Sequence, residues 1–139
     1  MLDALWIASA APAVEAALAR LTASGPIAVV AAPRLVRVLD GRGRAVVGFD
    51  GPSRRSPGQP LPDVPTYAAV VGAAVGDAAA WSEALAAWVA ATVDGGVVVT
   101  VDRAAPVEAS RRILCAGLTD LEQRTAGRWL VTSGAVARV

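Results

Sequence analysis

The sequence predicts a doubly wound α/β layer sandwich: a mostly parallel sheet of about seven strands, covered on both faces, with an antiparallel hairpin at its C-terminal end. Three observations predict it. Short runs rich in Val and Ile alternate with stretches whose apolar residues recur at helical spacing. That alternation makes parallel strands joined by helical crossovers. The run Val97 to Val101 is uninterrupted and β-branched, which suits a strand buried on both faces. No internal repeat or composition break divides the chain, so residues 1–139 read as a single domain.

The elements follow in order. Leu5 to Ala8 is a short apolar run, taken as the first strand. Pro12 suits the first turn of a helix in which Val14, Leu18 and Leu21 recur up to Gly25. Ile27 to Ala32, between Pro26 and Pro33, reads as a buried second strand. Arg34 to Asp40 is a short helix carrying Leu35, Val38 and Leu39, stopped by Gly41 and Gly43. Ala45 to Phe49 is the third strand. Gly51 to Pro65 is dense in Pro and lacks apolar periodicity, which marks a mobile loop. Tyr67 to Val71 is a strand, and Asp77 is placed to cap a helix presenting Trp81, Leu85, Trp88, Val89 and Thr92 on one side. Asp94-Gly95-Gly96 turns into Val97 to Val101. Pro106 to Ala116 is a helix stopped by Gly117. Leu121 to Thr125 and Arg128 to Thr132 form the hairpin, turning at Ala126-Gly127.

Composition narrows the chemistry. The chain has 13 basic and 12 acidic residues, a net charge of +1, one Cys and no His. A near-neutral charge argues against a nucleic-acid surface or a polybasic membrane anchor. Without His and with Cys115 alone, a His/Cys zinc site and a Ser-His-Asp triad are excluded, and no metal site is expected. A lone cysteine cannot form an intrachain disulfide, which favours the cytoplasm. The mean hydropathy of +0.50 is high. Its most apolar stretch, Tyr67 to Val93, is interrupted by Asp77 and Glu83, so no membrane span is expected. Asp3 and the lack of an early Arg argue against a secretory signal.

Three segments, Leu61 to Val71, Asp94 to Val99 and Ala116 to Glu122, taken with the order of elements, resemble the class I S-adenosylmethionine-dependent methyltransferases. Leu61-Pro62-Asp63-Val64-Pro65-Thr66-Tyr67-Ala68-Ala69-Val70-Val71 is similar to the family's loop into strand four. Asp94-Gly95-Gly96-Val97-Val98-Val99 is similar to its turn into strand five, and Ala116-Gly117-Leu118-Thr119-Asp120-Leu121-Glu122 to its entry into strand six. The resemblance implies a Rossmann-like sheet and a cofactor held at the turn after strand one by a Gly-x-Gly-x-Gly loop, where backbone approaches ligand without Cβ atoms. At the matching positions stand Ala8, Ala10 and Pro12, with Ser9 between, and Trp6 replaces an expected acid. The carboxylate that holds the ribose at the end of strand two is matched by Ala32 or Pro33. The acid after the strand-four aromatic is matched by Ala68. Asp50, at the end of strand three, keeps its type as an adenine contact.

The resulting expectation is a degenerate pocket of Ala8, Ser9, Ala10, Ala32 and Asp50, with no catalytic residue and no bound cofactor. The first functional reading is a non-catalytic methyltransferase-like domain, a structural or regulatory partner in a homo-oligomer or a heteromer with a related protein. The alternative is an active S-adenosylmethionine-dependent methyltransferase with an atypical cofactor loop, completed by a partner subunit. A third is a small-ligand module using the crevice at the strand ends.

The remaining residues have plainer explanations. Asp50 reads more simply as a turn former before Gly51-Pro52. Trp81 and Trp88 read as a core stripe, Cys115 as a packed thiol, and Arg54-Arg55 as a solvated pair. Arg111 and Arg112 are spaced to pair with Glu108. Trp129 fits equally an exposed edge or the core.

Overall fold

The computed structural model describes residues 3–49, 61–73, 78–103 and 105–137. The chain opens not with a strand but with a helix, α1 (Asp3–Leu18), running through Pro12. Seven of its sixteen residues are Ala, the strongest helix former, so the segment tolerates the backbone donor that Pro12 removes. Ala10, Val14, Ala17 and Leu18 lie buried at the spacing of one helical face. Leu5 to Ala8 is therefore the N-terminal half of this helix, and the expected first strand is corrected.

The true first strand is β1 (Ile27–Val30), buried at all four positions. It is followed by α2 (Pro33–Gly41), β2 (Val46–Phe49), β3 (Tyr67–Ala73), α3 (Ala78–Ala91), β4 (Thr92–Asp102), α4 (Pro106–Cys115), β5 (Thr119–Ala126) and β6 (Trp129–Ala135). The described residues thus carry six strands rather than about seven. Their order across the sheet is β2-β1-β3-β4-β6-β5. The first four are parallel, and β6 pairs antiparallel with both β4 and β5. The hairpin turns at Gly127-Arg128, one residue later than expected, with Gly127 at φ +62. No helix among the described residues is long and apolar enough to cross a membrane. Asp77 and the loop's Arg54-Arg55 lie outside the described residues.

Two cores follow from the alternation of β side chains. On one face Ile27, Val29, Ala69, Val71, Val97, Val99 and Val101 pack against α1 and α2. On the other, Ala28, Val30, Val70 and Val98 meet Trp81, Leu85 and Trp88 of α3 and Ile113 of α4. The tryptophan stripe is thus core, with Trp81 and Trp88 edge-to-face at 5.8 Å. Helix α3 passes directly into β4, its end closed by the Thr92 hydroxyl donating to the Trp88 carbonyl at 2.6 Å.

Two sets of ion pairs fasten α1 to the strands. Glu15 accepts three hydrogen bonds from Arg44, before β2, at 2.9–3.1 Å. Arg20, just beyond α1, pairs with Glu122 of β5 at 2.8 Å and donates to the Ser133 hydroxyl of β6 at 2.7 Å.

Among the described glycines, Gly72 carries the closest approach. A Cβ there would lie 2.1 Å from the buried Trp88 ring. Gly72→Ala is expected to cost about 1–3 kcal/mol by overpacking, measured by urea unfolding. The loss should shrink in a Trp88→Phe background, because the smaller ring vacates the contact.

Candidate functional site

The order of the sheet reverses beside β1. From β1 the chain moves outward to β2 by way of α2 on one face. From β3 it moves the opposite way to β4 by way of α3 on the other face. Where helices leave adjacent parallel strands toward opposite faces, a crevice opens outside the carboxyl ends of the strands, the usual ligand position in such sheets. Here it lies between β1 and β3. Val30 pairs with Phe49 on one side and Gly72 on the other, and Gly72 pairs with Thr100, so four strand ends are level.

The turn out of β1 is built from Ala31, Ala32 and Pro33. Ala31 has φ +61, the left-handed region that side chains with a Cβ rarely adopt. Its N–H donates to the Phe49 carbonyl at 2.8 Å, which ties the turn to the end of β2. Ala32 is the N-cap of α2 without a side-chain cap, and its carbonyl accepts from the Leu35 and Val36 amides. Pro33 starts the helix where its missing N–H costs nothing. Across the crevice, β3 ends in Gly72 and Ala73. Small side chains thus stand on both walls, and the backbone turns tightly between them.

The structure redistributes the expected pocket. Ala8, Ser9 and Ala10 belong to α1, and Ala10 is fully buried in the helix-covered core rather than at a turn. Only Ala32, among the described members, stands at the crevice. Asp50 lies outside the described residues; in sequence it directly follows the end of β2. A short apolar run does not separate strand from helix, so the turn expected after Leu5 to Ala8 falls within α1. The turn after the first strand is Ala31-Ala32-Pro33, and the acid after the second strand is Asp50. Sequence reasoning missed Ala31. No signal in composition marks an alanine at positive φ.

A second polar group gathers at the end of β4. Asp102, nearly buried, receives a bond from Arg112 of α4 at 2.9 Å, and Arg112 lies over the Trp81 ring at 5.1 Å. Arg111 donates to both oxygens of Glu108 at 2.9 Å, as the spacing predicted. The hydrogen bond from Arg111 holds the Glu108 carboxyl below its ordinary range. Cys115 is exposed rather than packed, since Ala109 and Ile113 take the core face of α4. Trp129 is half-buried, with the Arg103 guanidinium 4.7 Å from its ring. Among the described residues no three His, Cys, Asp or Glu side chains cluster to hold a metal.

No family model and no curated protein matches the sequence. Solved structures match the fold. Human N-acetylserotonin methyltransferase in complex with S-adenosylmethionine superposes with a TM-score of 0.70 at 11% identity, over 99% of this chain and 54% of that one. A chain of the Haloferax volcanii complex containing the Trm112 methyltransferase activator gives 0.69 at 12% identity, over 99% and 93%. The T. thermophilus 16S rRNA N2 G1207 methyltransferase, in complex with S-adenosylmethionine and guanosine, gives 0.58 at 20% identity, over 91% and 39%. This chain thus spans about half the human enzyme and less of the T. thermophilus one. The fold is that of the class I S-adenosylmethionine-dependent methyltransferases. The expectation of no cofactor is corrected: solved neighbours of this fold are complexes with S-adenosylmethionine, and the missing glycines at Ala8 and Ala10 fall within α1 and not in a strand-end turn.

Two outcomes are expected. Ala31→Gly should raise stability by about 1 kcal/mol, because glycine removes the left-handed strain, read as a Tm increase of about 3–5 °C. Ala31→Val should lower it. In a carbon-detected NMR titration, Glu108 should titrate below an ordinary glutamate, and Arg111→Ala should return it upward. The sign follows from linkage: a depressed carboxyl contributes stability above its unfolded value and loses it as pH falls through the folded one.

Proposed function

We propose that the chain is a methyltransferase-like subunit that binds S-adenosylmethionine in the crevice between β1 and β3 and works in an assembly with a second polypeptide. One observation carries the reading: β1 ends in a tight left-handed turn at Ala31 between small-walled strand ends. A glycine-like conformation at that point serves close approach of backbone to ligand. Asp50 supports it, standing twenty residues beyond Val30 in the sequence, the spacing at which such folds place the acid that takes the ribose hydroxyls. In this reading Ala31, Ala32 and Ala73 hold the adenosyl group by shape, and Asp50 anchors its ribose. The cofactor, when bound, supplies an activated methyl group. The chain's own part is to bind and orient it.

The second reading keeps the chain as a regulatory partner. It is supported by the likeness to a chain from a complex that contains a methyltransferase activator, of which 93% is covered. Both readings take residues 1–139 as one domain, with the cytoplasm as its compartment.

Calorimetry with S-adenosylmethionine and S-adenosylhomocysteine tests the proposal. Saturable binding is expected. Asp50→Ala should weaken it about 10- to 100-fold, the loss of hydrogen bonds to a charged acceptor. A folded wild-type chain without saturable binding at about 1 mM ligand would overturn the cofactor reading.

A further inference from the structure

The net charge of +1 conceals an uneven distribution along the sheet. Asp40, Asp63, Asp94, Asp120 and Glu122 stand toward the end where the parallel strands begin. At the opposite end, Asp102 and Glu108 are already matched by Arg112 and Arg111. Arg103, Arg124 and Arg128 also belong to that end, exposed, and none of them has an ion pair among the described residues. The sheet brings the three together, since β4, β6 and β5 are neighbours. The ladder that sets Asp102 opposite Leu130 places Arg103 opposite Trp129, and Arg128 precedes it in the hairpin turn. Arg124 pairs with Val131, two residues from Trp129 on the same side of the sheet. The Arg103 guanidinium lies 4.7 Å from the centre of the Trp129 ring. An aromatic partner holds a guanidinium by its face and leaves the N–H edge, with its charge, to donate elsewhere. Arg112 shows the contrast: it lies over Trp81 in the same way, but its edge is occupied by Asp102.

We propose that Arg103, held on Trp129 and flanked by Arg124 and Arg128, binds a phosphate group of the methyl acceptor. The inference rests on the cofactor reading above for the place of the reaction. Arg103 stands three residues beyond Thr100, which is level with Gly72 on the wall of the crevice. The phosphate therefore sits about 10 Å past the strand ends, one strand over from that wall. An acceptor with its reacting atom at the crevice spans that length with the rest of its skeleton. Phosphate fits better than carboxylate, because its charge of about −1.5 to −2 and its three oxygens match more than one guanidinium. A single phosphate fits better than a nucleic-acid backbone, because three arginines on one corner of the sheet do not form a track along successive phosphates.

Arginine Nε–Hε resonances of the full chain, followed by NMR while phenyl phosphate is added, test the proposal. A saturable shift at Arg103 is expected, with a Kd of about 0.1–5 mM. Arg103→Gln should weaken binding at least about tenfold, and Arg103→Lys should weaken it too, because the charge survives while the planar fork is lost. Arg124→Gln should weaken it about threefold or more. Arg37→Gln, at an exposed arginine on α2, should leave it unchanged. No shift at Arg103 up to about 20 mM ligand, or equal shifts at Arg103 and Arg37, overturns the proposal. Single-stranded RNA bound about 100-fold more tightly than phenyl phosphate overturns it equally, in favour of a nucleic-acid surface. The titration contains no S-adenosylmethionine, so the two readings fail separately. Saturable cofactor binding with a silent Arg103 removes the phosphate site alone, and a responsive Arg103 in a chain that ignores the cofactor removes the crevice reading.

Discussion

The Trp88 indole lies directly on the Gly72 backbone, and much of one side of the molecule takes its position from that contact. The ring occupies the space a Cβ would need, so α3 packs closer to β3 than any other residue at position 72 permits. Trp81 then meets Trp88 edge-on, Arg112 lies over Trp81, and Asp102 holds Arg112. This series of contacts leads from the end of β3, across two helices, to the end of β4. It fixes both strand ends on the same side of the sheet. A carboxylate as secluded as Asp102 is tolerated because its partner is a guanidinium with an aromatic ring behind it.

The opposite face is held differently. There α1 and α2 pack over valines and alanines, and orientation comes from charged side chains at the margins. Glu15 reaches Arg44 ahead of β2, while Arg20 reaches Glu122 and Ser133 in the hairpin. One helix and its following turn thus engage both edges of a six-stranded sheet. Such half-exposed pairs contribute little stability each, but they define where a smooth, Ala-rich helix comes to rest. The crevice lies at the boundary of these two regimes, where neither face continues across the strand ends.

The sheet was legible wherever β-branched residues run unbroken. Ile27 to Val30, Tyr67 to Val71 and Val97 to Val101 are strands because a helix has no use for such density of Val and Ile. Helices α2 and α4 were legible from Pro at their starts and glycine near their ends. Leu5 to Ala8 was not, because four apolar residues fit either period and Pro12 suggested a beginning where the helix was already under way. The turn expected at Ala8 and Ala10 therefore falls inside a helix, and the first strand-end turn is at Ala31, whereas the strand holding Ala68 stands where the sequence puts it. The conformation of Ala31 itself has no signature in composition: an alanine at positive φ is imposed by the strand before it and the helix after it. The Asp102–Arg112 pair was hidden for a simpler reason. Ten residues of chain separate partners that only the packing of α4 on the sheet brings together.

The place of β6 has a consequence for how the chain is made. It follows β5 in sequence, yet it lies between β4 and β5 rather than at an edge. During synthesis, β4 therefore waits with Val97 to Val101 presenting an unpaired, apolar border, the kind of border that templates pairing with other chains. Neither β5 nor any helix closes that border. The ribosome must deliver Trp129–Ala135 before this apolar, β-branched strand has its second neighbour.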